Sequence, residues 1–308
     1  EYLSLEEDKF QKIVCAYLAE YAVKYFGEEQ LESNSFTYRL KTILDNVMYL
    51  MKHIMEELSQ SEFFVADCEL KIGEDIPSYT IVLPDGHKIA VCGSVDRVDI
   101  MQRADITYLR IIDYKTGTKQ FKLSDILYGI NLQMLLYLHS IEASGCDKYG
   151  EIVPAGILYM PATVPYISSD SLKSIDKLPD ELNKKLKMNG LLLKDTEIIH
   201  GMDKTDVATY IPVKIKAGEP VSSTSLATLA EFGKIFKKVD MLIAEMGKNI
   251  YNGNIEAKPL KGGHDSCEYC PYDSVCAYRQ SNPITCFSVD NKTVIEEITN
   301  EINGKEEE

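Results

Sequence analysis

The chain has 308 residues, 45% hydrophobic and 26% charged, enough to bury a core in one large domain or a core with an appended subdomain. Its formal charge of −15 argues against a broadly basic nucleic-acid surface, yet carboxylates that hold a metal add negative charge themselves, so a nuclease is not excluded. No stretch approaches the roughly 20 apolar residues that cross a bilayer, and the opening EYLSLEEDKF has no basic region before an apolar run, so the expectation is a cytoplasmic protein without a membrane partner.

Residues 4–26 read as an amphipathic helix capped by Ser4, with Phe10, Ile13, Val14, Tyr17, Leu18, Tyr21 and Tyr25 on a core-packing face and Gly27 as the stop. A second helix follows Ser33-Asn34-Ser35 and turns Leu40, Ile43, Leu44, Val47, Met51, Ile54, Met55 and Leu58 inward. Residues 1–60 are therefore a helical region packing on a core. Residues 62–72, 78–83, 88–100 and 106–114 are short, β-branched runs, and Pro84-Asp85-Gly86 marks a hairpin. A helix from about Ser124 to Ser144 and a strand from Ala155 to Met160 complete a central mixed sheet flanked by helices, an α/β arrangement. Within this 61–260 core, residues 163–205 read as a polar insertion and 223–250 as a long helix ending before Gly253. Residues 261–290 are rich in cysteine, and 291–308 read as an acidic, solvated tail.

Asp96 lies in GSVDRVD, and Asp113 and Lys115 lie in IIDYK. Side chains two apart on a strand share a face, so Asp113 and Lys115 project together and Asp96 reaches them from the neighbouring strand. Two adjacent buried carboxylates need a compensating cation. Lys115 supplies part of it, and Mg²⁺ or Mn²⁺, held by Asp96, Asp113 and the Tyr114 carbonyl, would supply the rest. That set suits phosphodiester hydrolysis, with Lys115 positioning a water or stabilising developing charge. Gln133 and Tyr137, four apart on the following helix, share a face from which both can support the site.

Of the eight cysteines, Cys15, Cys68, Cys92 and Cys146 stand alone among apolar neighbours and read as buried thiols. Cys267-x2-Cys270-x5-Cys276 has ligand spacing within ten residues, and thiolates suit Zn²⁺ or an iron–sulfur cluster. Cys286 and His264 are further donors nearby.

The runs GSVDRVD, IIDYKTG and YGINLQMLLYL, followed by GILYM, MNGLLLKDTEII and CEYCPYDSVC, resemble the RecB-like PD-(D/E)xK nuclease superfamily, closest to its AddB-type branch, over roughly residues 60–290. The resemblance implies a restriction-endonuclease-like fold and a DNA exonuclease module that works with an AddA-type helicase–nuclease partner in bacterial double-strand-break repair. It implies metal binding by Asp96 and Asp113, catalysis by Lys115, and site support by Gln133 and Tyr137. It also implies a 4Fe–4S cluster on Cys267, Cys270 and Cys276 whose fourth cysteine, far upstream in relatives, is expected outside these residues unless Cys286 replaces it; zinc, with His264, is the alternative. Relatives carry an upstream metal-ligating histidine in a Gly-x-x-x-His pattern; His53, in MKHIMEE, does not match it, and Glu69 is a further candidate carboxylate. No Gly-x-x-x-x-Gly-Lys-Ser/Thr loop is present, so any motor lies outside these residues. A DNA-binding scaffold without activity and a stand-alone CRISPR-type RecB-like exonuclease are the alternative readings.

Overall fold

A computed structural model describes residues 7–306 apart from 118–119, 166, 168–177, 223, 264, 273, 277 and 279–282. Ser4 and His264 lie outside the described residues. Three helices come first: α1 (Glu7–Phe26), α2 (Glu28–Leu31) and α3 (Asn34–Ser59). Five strands follow: β1 (Phe64–Ile72), β2 (Tyr79–Val82), β3 (Lys88–Val91), β4 (Gly93–Arg103) and β5 (Ile106–Lys115). A 3-10 turn (Leu123–Tyr128), α4 (Gln133–Ser144) and α5 (Cys146–Tyr149) lead to β6 (Glu151–Pro161). Next come α6 (Leu178–Leu186), β7 (Asn189–Leu193), α7 (Thr196–Met202), β8 (Lys214–Lys216), β9 (Glu219–Val221) and β10 (Leu226–Ala227). The chain then runs through α8 (Leu229–Tyr251), β11 (Leu260–Gly262), β12 (Ile284–Cys286) and α9 (Asn291–Glu306).

The central sheet is mixed, in the order β1-β4-β5-β6-β7-β10. β1, β4 and β5 run antiparallel to one another in turn, β6 is parallel to β5, β7 antiparallel to β6, and β10 parallel to β7. β5 is covered on both faces, with Leu109, Ile111 and Ile112 buried, which is why its sequence is apolar almost throughout. α3 reaches one face through Glu57, and α7 joins it, Gly201 lying against Met101 of β4. α4 packs against β1, β5 and β6 and is backed by α8. A capping box of Thr228 and Glu231 starts α8. No helix among the described residues is long and apolar enough to cross a membrane.

Several elements differ from the sequence reading. Cys92 separates β4 from the β2–β3 hairpin, so 88–100 is two strands. The helix expected from Ser124 to Ser144 is broken, because Gly129 and Asn131 take left-handed φ of 67° and 55°. Gln133 therefore begins α4 instead of sitting mid-helix. Residues 189–193, inside the stretch read as an insertion, form β7 of the central sheet, with Leu191 and Leu192 buried.

The acidic tail is a helix. Val294, Ile298 and Ile302 recur every four residues, are buried as α9 packs on α8, and Lys238 pairs with Glu301 across that contact. The α1 face behaves in the opposite way: Phe10 is buried, but Tyr17, Tyr21 and Tyr25 are exposed. The four isolated cysteines are not buried either. Cys68, Cys92 and Cys146 are exposed and Cys15 is half-buried, whereas Cys286 is the buried one.

Candidate active site

β4 and β5 stay in register to Arg97 opposite Ile112, and one step further along that register lies Asp96 opposite Asp113. There the Asp96 carboxylate turns to the backbone: its Oδ2 accepts a hydrogen bond from the Tyr114 N–H at 2.9 Å. That bond ties Asp96 to the segment between Asp113 and Lys115. The Lys115 ammonium forms an ion pair with Asp113 Oδ2, as expected for residues two apart on one strand. Lys115 also lies over the ring of Tyr159, 5.6 Å from its centroid, and Tyr159 sits level with Asp113 on β6. Burial, and then the Asp113 charge, push the Tyr159 phenol up to about 12, so it stays a neutral wall of the site.

Asp113 Oδ2 is buried and accepts no hydrogen bond of proper geometry; the Lys115 ammonium is its ion-pair neighbour. Asp96, Asp113 and Lys115 together carry −1. A buried carboxylate oxygen short of donors, beside a second carboxylate, fits a hard divalent cation, which takes oxygen ligands and keeps several waters. Glu69 borders this group from β1. The β1–β4 register brings it opposite Asp96, it holds a left-handed φ of 53°, and its Oε2 accepts from the Ser94 hydroxyl at 3.1 Å. Among the described residues, no three His, Cys, Asp or Glu side chains are gathered closely enough to hold a metal by themselves.

Gln133 is exposed, and its Nε2 lies 3.5 Å from the Tyr137 hydroxyl. Tyr137 rests on Gly93, three residues before Asp96: a Cβ at position 93 would fall 2.2 Å from the phenol oxygen. Glycine is required there by close approach, and the contact docks the Gln133–Tyr137 helix on the strand that carries Asp96. His53 lies elsewhere. It is buried on α3, in a cavity of about 310 Å³ with Tyr114, Met160 and Pro161, and burial pulls its pKa down.

Between the catalytic candidates in sequence lies a second charged set. Arg97 grips Asp99 with two hydrogen bonds of 2.7 Å and reaches Glu57 at 2.9 Å; Arg110 donates to Asp99 at 3.0 Å and to Glu57 at 2.6 Å. All four are buried. Burial works against the Arg97 charge, but Asp99 and Glu57 outweigh it and hold the guanidinium protonated. Burial likewise opposes the Asp99 carboxylate, and Arg110 and Arg97 hold its pKa down. The Tyr114 hydroxyl stands 3.5 Å from Arg97 Nη1, so this set touches the ring of the residue between Asp113 and Lys115. Sequence reasoning missed it. Two signals were present: an arginine inside the buried run ITYLRIID, and a glutamate between Ile54 and Leu58 on the apolar face of α3.

Cys267, Cys270 and Cys276 occupy the loop between β11 and β12. The first two are half-buried, the third is exposed, and none is in a disulfide. The Cys270 N–H donates to the Cys267 carbonyl at 3.2 Å, which folds the Cys-x2-Cys turn, but the three are not gathered around one point.

A family model described as the PD-(D/E)XK nuclease superfamily matches residues 3–277. The chain is 38% identical over 246 residues to a protein of Thermoanaerobacter sp. (strain X514) named as an ATP-dependent helicase/deoxyribonuclease subunit, covering 78% of this chain and 21% of that protein. It is 36% identical over 275 residues to the protein of the same name from Alkaliphilus oremlandii (strain OhILAs), covering 85% and 24%. It is also 36% identical over 281 residues to the one from Clostridium kluyveri (strain NBRC 12016), covering 88% and 24%. The chain thus spans about a fifth to a quarter of the length of these curated relatives. Nucleases of this superfamily generally use divalent metal ions. By the extent of the family model and the identity shared with these relatives, the chain belongs to the PD-(D/E)XK nuclease superfamily.

Proposed function

We propose that this chain is the metal-dependent nuclease module of an AddAB-type helicase–nuclease and hydrolyses phosphodiester bonds in DNA as an exonuclease during double-strand-break repair. The observation that carries the reading is the gathering of Asp96, tied to the Tyr114 N–H, with the largely buried Asp113–Lys115 ion pair. Asp96, Asp113 and the Tyr114 carbonyl would hold Mg²⁺ or Mn²⁺, and Glu69 is a further carboxylate at the rim. The chemistry supplied at these residues by such a cation would be polarisation of the phosphate and a lowered pKa for a water. Lys115, held in place by Asp113, stabilises the charge that develops on the phosphate oxygens. Tyr137, wedged on Gly93, fixes the approach of α4, and Gln133 at its start offers an amide to a phosphate.

Relatives named as parts of an ATP-dependent helicase/deoxyribonuclease support a motor outside these residues, on an AddA-type partner or on a further segment. Cys267, Cys270 and Cys276 are assigned to a 4Fe–4S cluster or, alternatively, to zinc, with a further ligand such as Cys286 or His264. A visible absorption shoulder in freshly purified protein identifies iron–sulfur; a colourless protein containing zinc identifies the alternative.

The test of the main reading is cleavage of labelled linear DNA with Mg²⁺ or Mn²⁺. Lys115→Ala and Asp113→Asn are each expected to lower the rate by about 10²-fold or more, the scale of losing one transition-state contact. Cleavage by Lys115→Ala at the parent rate would overturn the assignment of this site.

A further inference from the structure

The buried charge cluster reaches toward the acid site through one nitrogen. Arg97 Nε and Nη2 are taken by Asp99 and Glu57 at 2.7 to 2.9 Å, which fixes the plane of the guanidinium. Nη1 donates instead to the Tyr114 hydroxyl, a longer bond of 3.5 Å. Side chains alternate along β5, and Arg97 sits opposite Ile112. The Tyr114 ring therefore shares the α3 face with Ile112 and Arg97, while Asp113 and Lys115 project from the other face.

The backbone of Tyr114 belongs to the acid site all the same. Its N–H donates to Asp96 Oδ2 at 2.9 Å, and its carbonyl is a proposed ligand of the cation. A shift at the Tyr114 Cα thus moves the anchor of Asp96 and a metal ligand together. Packing does not clamp the ring on every side, because it borders a cavity of about 310 Å³ lined by Val47, Leu50, Met51 and Met160. Burial pushes the phenol pKa up and Arg97 opposes, so the oxygen that accepts from Arg97 belongs to a neutral phenol.

We propose that Arg97 and the Tyr114 side chain are positioning residues for the metal centre: the buried cluster, through the Tyr114 hydroxyl, sets the backbone that holds Asp96 and offers a carbonyl to the cation. The inference rests on reading Asp96, Asp113 and the Tyr114 carbonyl as the metal site. Groups that orient metal ligands from behind set affinity by about 10- to 100-fold. The length of the Arg97 bond puts the expected effect at the lower end of that range.

The experiment is calorimetric titration of the metal-free protein with Mn²⁺, beside thermal unfolding in EDTA, for the parent chain, Tyr114→Phe, Tyr149→Phe and Asp113→Asn. Tyr114→Phe keeps the ring and removes only the oxygen that Arg97 reaches. Tyr149→Phe removes a hydroxyl that donates to Asp67 at 2.6 Å, from a buried tyrosine beside Thr107 at the opposite end of β5. Tyr114→Phe is expected to bind Mn²⁺ about tenfold more weakly, to melt close to the parent, and to regain the parent cleavage rate when Mn²⁺ is raised in proportion. Tyr149→Phe is expected to do the reverse, melting lower and binding Mn²⁺ like the parent. Parent-like affinity in Tyr114→Phe, or equal weakening in Tyr149→Phe, would overturn the proposal. Asp113→Asn separates this failure from that of the site. If Asp113→Asn loses Mn²⁺ binding while Tyr114→Phe binds like the parent, the metal site stands and the tether from Arg97 fails. If Asp113→Asn binds Mn²⁺ as tightly as the parent, or the parent binds none, the metal site fails and the proposal with it.

Discussion

β4 and β5 carry two charged clusters built from neighbouring residues, and the two are completed in different ways. Arg97, Asp99 and Arg110 join Glu57 in a neutral set of two cations and two anions, closed by hydrogen bonds of 2.6 to 3.0 Å. Asp113, next to Ile112 and three residues from Arg110, projects to the other face with Lys115. There the sum with Asp96 is −1, and Asp113 Oδ2 lacks a hydrogen bond. The first cluster holds α3 to the sheet with its charges balanced, although the buried Arg110 Nη1 is left without a hydrogen bond. The second keeps a net charge of −1, which the proposed metal would offset.

The comparison breaks most easily at Glu57. Glu57→Gln, or Asp99→Asn, leaves a buried guanidinium underpaired and should cost about 3–5 kcal/mol in denaturant unfolding. Asp113→Asn should lower cleavage by about 10²-fold or more and cost less stability than Asp99→Asn, since its partner Lys115 is only partly buried and can turn to water. Equal stability losses at Asp99 and Asp113 would erase the distinction.

Gly93→Ala should cost about 1–3 kcal/mol, because Tyr137 must leave its seat, and should lower the cleavage rate along with stability. Tyr137→Ala in the same background should recover the stability and not the rate.

The smallest effect concerns pH. His139 sits between Asp240 and Glu142, both at 3.2 Å, and stacks on Phe236. Burial opposes its charge, but hydrogen bonds to Asp240 and then Glu142 outweigh burial and raise the imidazole to about 9. The folded value thus lies above the unfolded value of about 6.5, so this stabilisation is complete below pH ~6.5 and lost as pH rises through about 9. It amounts to no more than about 3 kcal/mol. The melting temperature of the parent should therefore fall between pH 7 and 9.5, and His139→Gln should flatten that slope.

Much of this was legible in the sequence where one element suffices. The period of two in Asp-Tyr-Lys put Asp113 and Lys115 on one face, and the apolar run before them marked a strand buried on both sides. Glu57 was not legible as a partner of Arg97, because 40 residues separate them and only packing of α3 on β4 joins them. In α9, the spacing of Val294, Ile298 and Ile302 was present, but Glu296, Glu297 and Glu301 between and beside them suggested a solvated tail. The α1 stripe misled in the other direction. Tyrosines suit a half-wet surface as well as a core, and spacing does not say what covers them. The cysteine trio has the same limit: ligand spacing is visible in one dimension, convergence is not.

The strands that bracket that trio give it an unusual mechanical setting. Leu260, Lys261 and Gly262 pair in parallel with Ile284, Thr285 and Cys286, and the Phe287 N–H is anchored on the Tyr128 hydroxyl. The mouth of the loop is thus shut by backbone hydrogen bonds before any ligand is added. Closing a loop carries an entropic cost that grows with its length, and here the sheet has already met it. The proposed metal centre would have only the interior to organise. Its loss should slacken the loop like an emptied purse with its drawstring still tied, leaving α9 docked on α8.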